Sequence, residues 1–376
     1  MRRVCYITGT RADFGLMQST LQLINVHPDL ELGVVVTGMH LSSSHGNTVA
    51  EIVAAGLTIV ARVGVDMSCT DGAAMARNIG KMTSEFVDVL ETFRPDIVLL
   101  LGDRGEMLAG ALAAIHLNIP IAHIHGGERS GTVDEPVRHA ISKLAHLHLV
   151  ATADASERLV RMGENPSHVF VTGAPGLDGL TALASIQRRE LCESIGFDPG
   201  HKIALFVFHP VLAEARDAGR QSRDLLEALL AINVQIVALK PNADAGSEFV
   251  LATLESLKNQ PGIHISTHFP RDVFVSWMAA ADLMVGNSSS GIIEAATFGT
   301  PVVNVGRRQN MRLRNANVID MDNGSPTVSE MLRRAIDIPK SSAGNVYGDG
   351  QAGAKIVDIL ATVSLHADLL LKCNSY

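Results

Sequence analysis

The chain has 376 residues, of which 47% are hydrophobic, and it carries a formal net charge of −8 at pH 7. This is too much chain for one ordinary core, so the composition predicts two domains. The negative charge and the aromatic content of only 4% argue against a nucleic-acid-binding surface. An anionic substrate must therefore be bound by a few placed Arg and His side chains.

The amino terminus lacks the features of a signal peptide, because its apolar run breaks at Thr8 and Gly9. No stretch reaches the ~18 uninterrupted apolar residues of a membrane span, so we predict a cytoplasmic protein that binds no membrane. The cysteines have neither the spacing of a zinc ligand pair nor that of a CxxC redox pair. We therefore expect free thiols at Cys5, Cys69, Cys192 and Cys373.

Predicted strands and helices alternate along the first half of the chain. The predicted strands are Val4–Thr8, Leu32–Thr37, Ile97–Leu101, Ile121–His125, Leu147–Ala151 and Val169–Thr172. The predicted helices are Phe14–Ile24, Met75–Phe93, Leu108–His116 and Asp154–Met162. Several strands are apolar at successive residues, which is typical of parallel strands covered on both faces. The alternation predicts a parallel, doubly wound sheet.

The same alternation returns in the second half. Its predicted strands are Ile203–Phe208, Gln235–Leu239, Ile263–Ser266, Leu283–Val285 and Pro301–Val305. Its predicted helices are Arg223–Leu230, Val273–Ala281 and an apolar final helix from about Gly353 to Leu371. We predict an N-terminal Rossmann-like domain over 1–180, a hinge near 174–195 and a C-terminal Rossmann-like domain over 195–352. The last segment, 353–376, is expected to pack back on the N-terminal domain.

Polar and glycine-rich segments follow the predicted strands. They are Gly9–Arg11, Thr37–His40, Gly102–Arg104, His123–Glu128, His209–Pro210, Lys240–Asn242 and Gly286–Ser290. Ligands of open α/β sheets bind beyond the carboxyl ends of the strands. Two such sheets facing each other would gather these segments into one cleft, which is an architecture for a nucleotide-sugar.

The segment GNSSSGIIEA, Gly286–Ala295, leads from a strand into a helix. Backbone N–H groups at that helix start, with the hydroxyls of Ser288 and Ser289, suit a diphosphate, and Glu294 is within reach of ribose hydroxyls. The alternative is an ordinary capped helix without a ligand. The first loop, GTRADFG, is neither a GxGxxG nor a Walker A motif, but its Arg11 can reach a phosphate.

Further polar residues stand at other strand ends. Asp103 and Arg104 follow a buried strand and form either part of a site or a local surface ion pair. His209 and Asn242 also end strands, whereas the meaning of Arg307–Gln309 stays open. The densest polar stretch contains His123, His125, Glu128, Asp134, Glu135, Arg138 and His139. Because no compact ligand motif follows its histidines, we predict no metal site there.

Seven motifs occur in one order along nearly the whole chain: GTRADFG, VTGMH, GDR, HIHGGERSGTVDE-x-x-RHAISKL, FHP, PNADAGS and GNSSSGIIEA. Together they resemble the hydrolysing branch of the UDP-N-acetylglucosamine 2-epimerases. The non-hydrolysing branch has Lys where this chain has Leu16. The resemblance implies an α/β GT-B fold, with two Rossmann-like doubly wound domains facing a central cleft. It also implies a UDP-sugar substrate, no metal, nicotinamide or other cofactor, and a homodimer.

The resemblance also implies roles for particular residues. The residues that would contact UDP, with Glu294 on the ribose, are Arg11, Arg104, His209, Asn242, Ser288, Ser289, Glu294 and Arg308. The family's catalytic positions fall on Asp103, His125 and Asp134. Many relatives have Glu where this chain has His125. The two side chains differ in charge and in ordinary pKa, about 6.5 for His against about 4.3 for Glu.

The implied reaction needs an acid, a base and a site for a leaving diphosphate. The hydrogen at C2 of the sugar is not adjacent to a carbonyl, so elimination to a 2-acetamidoglycal followed by hydration is the accessible route. The sequence does not assign base and acid among the three catalytic candidates. UDP-GlcNAc, giving ManNAc for sialic-type acids, is the first choice of substrate, and UDP-N,N′-diacetylbacillosamine, for legionaminic acid, is the alternative. A GT-B glycosyltransferase and a non-catalytic nucleotide-sugar sensor are the rival functions.

Overall fold

A computed structural model describes residues 1–43, 46–68, 71–341 and 344–375 of the chain. Its contacts divide the chain into two compact units. Unit 1 comprises Met1–Glu128, Val133–Asp178 and Tyr347–Tyr376, and unit 2 comprises Arg129–Thr132 and Gly179–Val346. Within the described ranges, no helix is both long and apolar enough to span a membrane.

Unit 1 is built on a parallel sheet with seven strands among its described residues. The strands are β1 (Arg2–Thr8), β2 (Leu30–Thr37), β3 (Ile59–Val63), β4 (Ile97–Leu101), β5 (Ile121–Ile124), β6 (Leu147–Val150) and β7 (Val169–Val171). Its helices are α1 (Arg11–Val26), α2 (Val49–Ala54), α3 (Gly72–Phe93), α4 (Gly105–His116), α5 (Asp134–Leu144), α6 (Ala153–Arg161) and, near the carboxyl terminus, α14 (Ala352–Thr362) and α15 (Ala367–Leu370). The strand order is β3-β2-β1-β4-β5-β6-β7, which is that of a doubly wound Rossmann-like sheet.

Unit 2 repeats this plan with six parallel strands in the part of it that the structure describes. They are β8 (Ile203–Val207), β9 (Gln235–Leu239), β10 (Ile263–Ser266), β11 (Leu283–Gly286), β12 (Val302–Val305) and β13 (Val318–Met321), in the order β10-β9-β8-β11-β12-β13. The helices are α7 (Leu180–Leu183), α8 (Arg188–Ile195), α9 (Ala218–Ala231), α10 (Ser247–Leu257), α11 (Arg271–Ala280), α12 (Ser289–Ile293) and α13 (Val328–Ile336).

The predicted α/β fold with two parallel sheets is confirmed. The observed bounds of β4, β9 and β10 match the predicted ones. The apolar run of β4 is continuous and buried along its whole length, as expected of a parallel strand covered on both faces. The prediction missed β3 and β13, which lie at sheet edges. Edge strands are covered less completely, and the polar residues Arg62 and Asp320 interrupt their apolar runs.

The prediction of one final helix from Gly353 to Leu371 is wrong. The structure has α14, an extended stretch from Val363, and then the short α15. The Arg2 guanidinium donates to the carbonyls of Leu360 and Val363. These bonds satisfy carbonyls at the carboxyl end of α14, which a continued helix would have used itself.

The amino end of α14 is capped as well. The Asp178 carboxylate accepts hydrogen bonds from the backbone N–H groups of Ala352, at 2.9 Å, and Gly353. Carboxylates are stabilised at helix amino termini by the same N–H groups and by the helix dipole. With α1 packed along its side, α14 is therefore held within unit 1 at both ends and along one face.

The cysteines that the structure describes are free thiols, as predicted. Cys5 and Cys192 are buried and Cys373 is exposed, whereas Cys69 lies outside the described residues. Burial raises the pKa of the Cys5 thiol to about 12. A thiol so far from ionisation is a packing residue of the core.

Unit 1 buries several histidines in neutral form. Burial lowers the pKa of His40 to about 4, of His123 to about 3 and of His146 to about 4. His146 Nδ1 accepts a hydrogen bond from the Ile121 amide at 3.1 Å, so this ring has a structural role at the amino ends of β5 and β6.

We expect acid to destabilise the protein through these rings. Between the folded pKa of about 4 for His146 and an unfolded value of about 6.5, the unfolded state binds the extra proton, so stability falls as the pH falls. His146→Asn keeps an acceptor for the Ile121 amide but removes the titration. Between pH 7 and 5 this variant should lose about 1 to 2 kcal/mol less free energy of unfolding than the wild type, measured by urea denaturation. Equal losses would contradict the assignment.

Candidate active site

The loop after β1 is held by a buried carboxylate. Asp13, near the start of α1, accepts hydrogen bonds from the Thr8 hydroxyl and from the amides of Gly9, at 3.1 Å, and Thr10, at 2.8 Å. In turn, the Thr10 hydroxyl oxygen accepts a hydrogen bond from the Asp13 backbone amide at 3.2 Å. Burial raises the pKa of Asp13 to about 6. This capping box fixes the loop that carries Arg11.

The two arginines predicted to contact UDP from unit 1 are each paired with a carboxylate. Arg11 Nη1 lies 3.8 Å from Glu51 Oε1, and Arg104 Nε donates to Glu106 Oε1 at 2.8 Å. Burial lowers the pKa of Arg11 to about 10. Glu106 also packs on the backbone of Gly9, where an added Cβ would overlap its carboxylate. It therefore joins the loops after β1 and β4.

The loop after β4 contributes Asp103, whose partner is Arg138 on α5. Local Asp103–Arg104 pairing, the alternative left open by the sequence, is therefore not what the structure shows. Arg138 is only 1% exposed, and its second nitrogen donates to the Glu128 carbonyl at 3.2 Å. A buried guanidinium needs such partners to offset its desolvation. Arg138 thus connects the loops after β4 and β5.

His125 follows β5 directly and is buried beside Glu128. Its Nδ1 is hydrogen-bonded to Glu128 Oε1, and both residues are less than 10% exposed. The backbone of His125 has φ +61°, a left-handed conformation that costs energy for any residue other than glycine. Such an outlier, kept in a loop at the end of a central strand, is the kind of strain found at functional sites.

Asp134 begins α5, one helical turn before Arg138. Residues four apart share one face of a helix, so Asp134 lies on the Arg138 side of α5. Arg138 and Glu128 thus connect two of the predicted catalytic residues, Asp103 and His125, and the third, Asp134, begins the helix that carries Arg138. His123 is outside it: its ring bonds the Gly102 carbonyl at 2.7 Å and the Ser142 hydroxyl at 3.1 Å, which is a structural role.

In unit 2, Asn287 connects three strand ends. Its side-chain amide accepts from the His209 amide and donates to the His209 carbonyl, both at 2.7 Å. Its carbonyl accepts from Arg308 Nη1 and from Gln309 Nε2, both at 3.1 Å. Asn287 is 2% exposed and lies next to Ser288. It therefore positions three of the predicted UDP contacts.

His209 and Asn242 are joined directly. The Asn242 amide donates to His209 Nδ1 at 3.3 Å, so in the neutral ring the proton is on Nε2, which can donate to a ligand. The Asn242 side chain donates to Asp244 at 2.6 Å. His209 Nδ1 is thus bonded within unit 2, at the carboxyl edge of the sheet.

The GNSSSGIIEA segment forms a capped but short helix. Ser288 is the N-cap of α12, with its hydroxyl 2.8 Å from that of Ser290, and Ser289 is the first helical residue. The predicted ribose ligand Glu294 is 2% exposed and forms an ion pair with Arg271 of α11. Glu294 thus stands at the opposite end of α12 from Ser288, fixed by a partner.

No cluster of three or more His, Cys, Asp or Glu side chains that could hold a metal occurs in the described part of the chain. Sequence reasoning missed four positioning residues, which are Glu106, Arg138, Arg271 and Asn287. Arg138 and Asn287 stand inside motifs quoted above, HIHGGERSGTVDE-x-x-RHAISKL and GNSSSGIIEA, and Glu106 comes two residues after GDR. A charged or amide side chain within or next to a motif could have indicated these positioning residues. Their hydrogen-bond partners could not be predicted, because most of them are remote in sequence.

Each unit thus has a parallel, doubly wound sheet, with titratable side chains after the strands of unit 1 and polar side chains after the strands of unit 2, the architecture expected of a nucleotide-sugar enzyme. A profile of the UDP-N-acetylglucosamine 2-epimerase family matches residues 22–361. The chain therefore belongs to the UDP-N-acetylglucosamine 2-epimerase family, and it is an enzyme of that type, as predicted.

Two relatives in sequence and one solved structure describe the similarity. The chain is 47% identical over 376 residues to the UDP-N,N′-diacetylbacillosamine 2-epimerase (hydrolysing) of Legionella pneumophila, with 100% of both chains covered. It is 36% identical to a UDP-N-acetylglucosamine 2-epimerase of Neisseria meningitidis, over 93% of this chain and 92% of the relative. A crystal structure of the Neisseria meningitidis UDP-GlcNAc 2-epimerase bound to UDP-GlcNAc superposes with a TM-score of 0.80 at 20% identity, covering 95% of this chain and 99% of the other.

Proposed function

We propose that this enzyme is a hydrolysing 2-epimerase of a UDP-2-acetamido sugar. It releases UDP and the free sugar with inverted configuration at C2, for nonulosonic acid synthesis. Unit 1 supplies the acid–base residues Asp103, His125 and Asp134, and unit 2 supplies most of the UDP contacts. The observation that carries the proposal is the connection of Asp103 to His125 through Arg138 and Glu128, with Asp134 one helical turn before Arg138.

UDP-N,N′-diacetylbacillosamine is the substrate that the similarities favour. Identity of 47% over the full length to the Legionella enzyme exceeds the 36% to the Neisseria enzyme. This reverses the order of the two substrates that the sequence analysis preferred. UDP-GlcNAc stays the second candidate, because the Neisseria relative named for it also covers nearly the whole chain.

The first half of the reaction is an elimination. A base removes the proton from C2 while the bond between C1 and the UDP oxygen breaks, giving UDP and a 2-acetamidoglycal. Negative charge develops on the leaving diphosphate, so fixed donors there lower the barrier. Arg11, Arg104, Arg308 and His209 are the candidates, and each is held by a partner that fixes its direction.

The second half adds water to the glycal. The water oxygen bonds to C1 and a proton is delivered to C2 on the opposite face, so the product is the free 2-epimer. A group on each face of C2 is therefore needed, and each typically contributes about 10²–10⁴-fold to the rate. We assign these two roles to His125, which follows β5, and Asp134, which begins α5 at the other end of the same connection.

Proton NMR in D₂O tests the proposal with each of the two UDP-sugars. Hydrolytic epimerisation gives UDP and a free manno-configured sugar that carries deuterium at C2, and the faster substrate identifies the physiological one. UDP release with hydrogen retained at C2 would mean simple hydrolysis or transfer and would contradict the epimerase proposal.

The same experiment excludes or supports the rival functions. A glycosyltransferase would need an acceptor, whereas the proposed reaction needs only water. A non-catalytic sensor would bind the UDP-sugar without releasing UDP. The acid–base group around Arg138 is more than either rival needs, because neither has to remove a proton from carbon.

A further inference from the structure

We propose that Glu128 is a positioning residue that fixes the tautomer of His125, so that His125 Nε2 exchanges the C2 proton. The inference rests on the proposed function and assigns a chemical role within it. In this proposal the imidazole of His125 reacts with the substrate, and the carboxylate of Glu128 orients the imidazole without touching the substrate.

The hydrogen bond between the two side chains sets the tautomer. Glu128 Oε1 contacts His125 Nδ1, and an ionised carboxylate can only accept. The Nδ1 atom of the neutral ring therefore carries the proton, and Nε2 presents a lone pair. An imidazole oriented this way by a buried carboxylate is the arrangement that general-base catalysis uses in hydrolytic triads.

The loop that carries the pair is fixed at several points. His125 has φ +61°, and Gly127 has φ +73° and packs so closely on the Ala155 carbonyl that any side chain would overlap it. Arg158 Nη1 donates to the Gly127 carbonyl at 2.6 Å and Arg138 Nη1 to that of Glu128 at 3.2 Å. Strain held by this many bonds aims the imidazole and does not merely decorate a turn.

The charged groups around His125 come from each neighbouring element. The loop itself contributes Glu128, α5 contributes Arg138, and α6 contributes Arg158, which is paired with Asp154. The β4 loop contributes Asp103, which is paired with Arg138. On β5, burial keeps the pKa of His123 low, at about 3. Glu128 is the carboxylate bonded to the His125 ring, so it is the group that selects the tautomer.

Glu128→Gln tests the proposal, with Glu164→Gln as the matched control. Glu164 is also buried and bonded to a histidine of unit 1, His148, at 2.9 Å, but it takes no part in the proposed site. We expect Glu128→Gln to lower kcat about 100-fold with KM changed by less than about threefold. The control should lower Tm without lowering kcat. A kcat of Glu128→Gln within threefold of the wild type would overturn the proposal.

A double-mutant cycle shows whether Glu128 acts through His125. In a His125→Gln background the second change, Glu128→Gln, should cost nothing further, because the ring that it orients is gone. Additive losses would mean an independent structural role and would overturn the inference. Full activity in His125→Gln alone would overturn it too.

Nitrogen NMR of the protein labelled with ¹⁵N-histidine decides the point even if the variants lack measurable turnover. The neutral form of the His125 ring is expected to show a proton on Nδ1 and none on Nε2, and the reverse tautomer would overturn the proposal. Failure of the proposed function is separate: it would appear as a wild-type enzyme that leaves hydrogen at C2 in D₂O. A wild type that deuterates C2 beside a fully active Glu128→Gln variant would remove this inference alone.

Discussion

Asp134→Asn is expected to lower turnover by about a thousandfold or more while UDP binding persists. Asparagine keeps the shape of the side chain at the start of α5 but cannot carry a proton to or from carbon. UDP affinity should change little, because the proposed UDP contacts lie mostly in unit 2. The measurements are kcat by NMR with the UDP-sugar and the Kd for UDP by calorimetry.

The matched control is Glu135→Gln, which removes the same charge one residue along the first turn of α5. Glu135 lies 3.6 Å from His139 on the same helix, and a partly exposed pair of this kind contributes little. Its kcat should stay within a few-fold of the wild type. Undiminished turnover in Asp134→Asn would remove Asp134 from the mechanism. An equal loss of kcat in both variants would mean that the lost negative charge, and not proton transfer by Asp134, lowers the rate.

Gly286→Ala is expected to cost about 3 kcal/mol or more of stability and to abolish UDP binding. Gly286 ends β11 with φ +137°, and an added Cβ would overlap the Val207 carbonyl of the neighbouring strand β8. The overlap is with backbone, so no rotamer change relieves it. Separation of these strand ends would displace the next residue, Asn287, and with it His209 and Arg308.

Gly324→Ala separates the two causes. Gly324 also has a positive φ, +71°, but nothing lies within 4 Å of its added Cβ. This control therefore carries the conformational cost alone, about 1 kcal/mol, and should bind UDP as the wild type does. The free energy of unfolding and the Kd for UDP check both variants. Equal effects would show that backbone conformation, and not the close approach of β8 and β11, governs the site.

The amino-acid sequence by itself determined the fold class and the family. Continuous apolar runs at Ile97–Leu101 and Ile203–Val207 are buried parallel strands, because such strands are covered on both faces and their composition reflects it. The ordered motifs identify the family, because each occupies one strand end and their order follows the chain. These are local properties, so they can be read without knowing which segments meet.

Only the tertiary structure decided how the site residues are held. The sequence left open whether Asp103 and Arg104 pair with each other, whereas the structure pairs Asp103 with Arg138 and Arg104 with Glu106. Partners 35 positions apart, such as Asp103 and Arg138, become neighbours only when β4 and α5 pack within one unit. A buried charge takes whichever partner the fold places beside it.

Partners that are remote in sequence also determine where helix α14 ends and how His125 is held. Helix α14 ends at Thr362, where Arg2, from the opposite end of the chain, donates to the carbonyls of Leu360 and Val363. The sequence placed His125 among the catalytic candidates, but its hydrogen bond to Glu128 and its left-handed backbone became evident only in the folded structure. Residue types and their order are properties of the sequence, whereas hydrogen-bond partners and backbone strain depend on which segments the folded chain brings together.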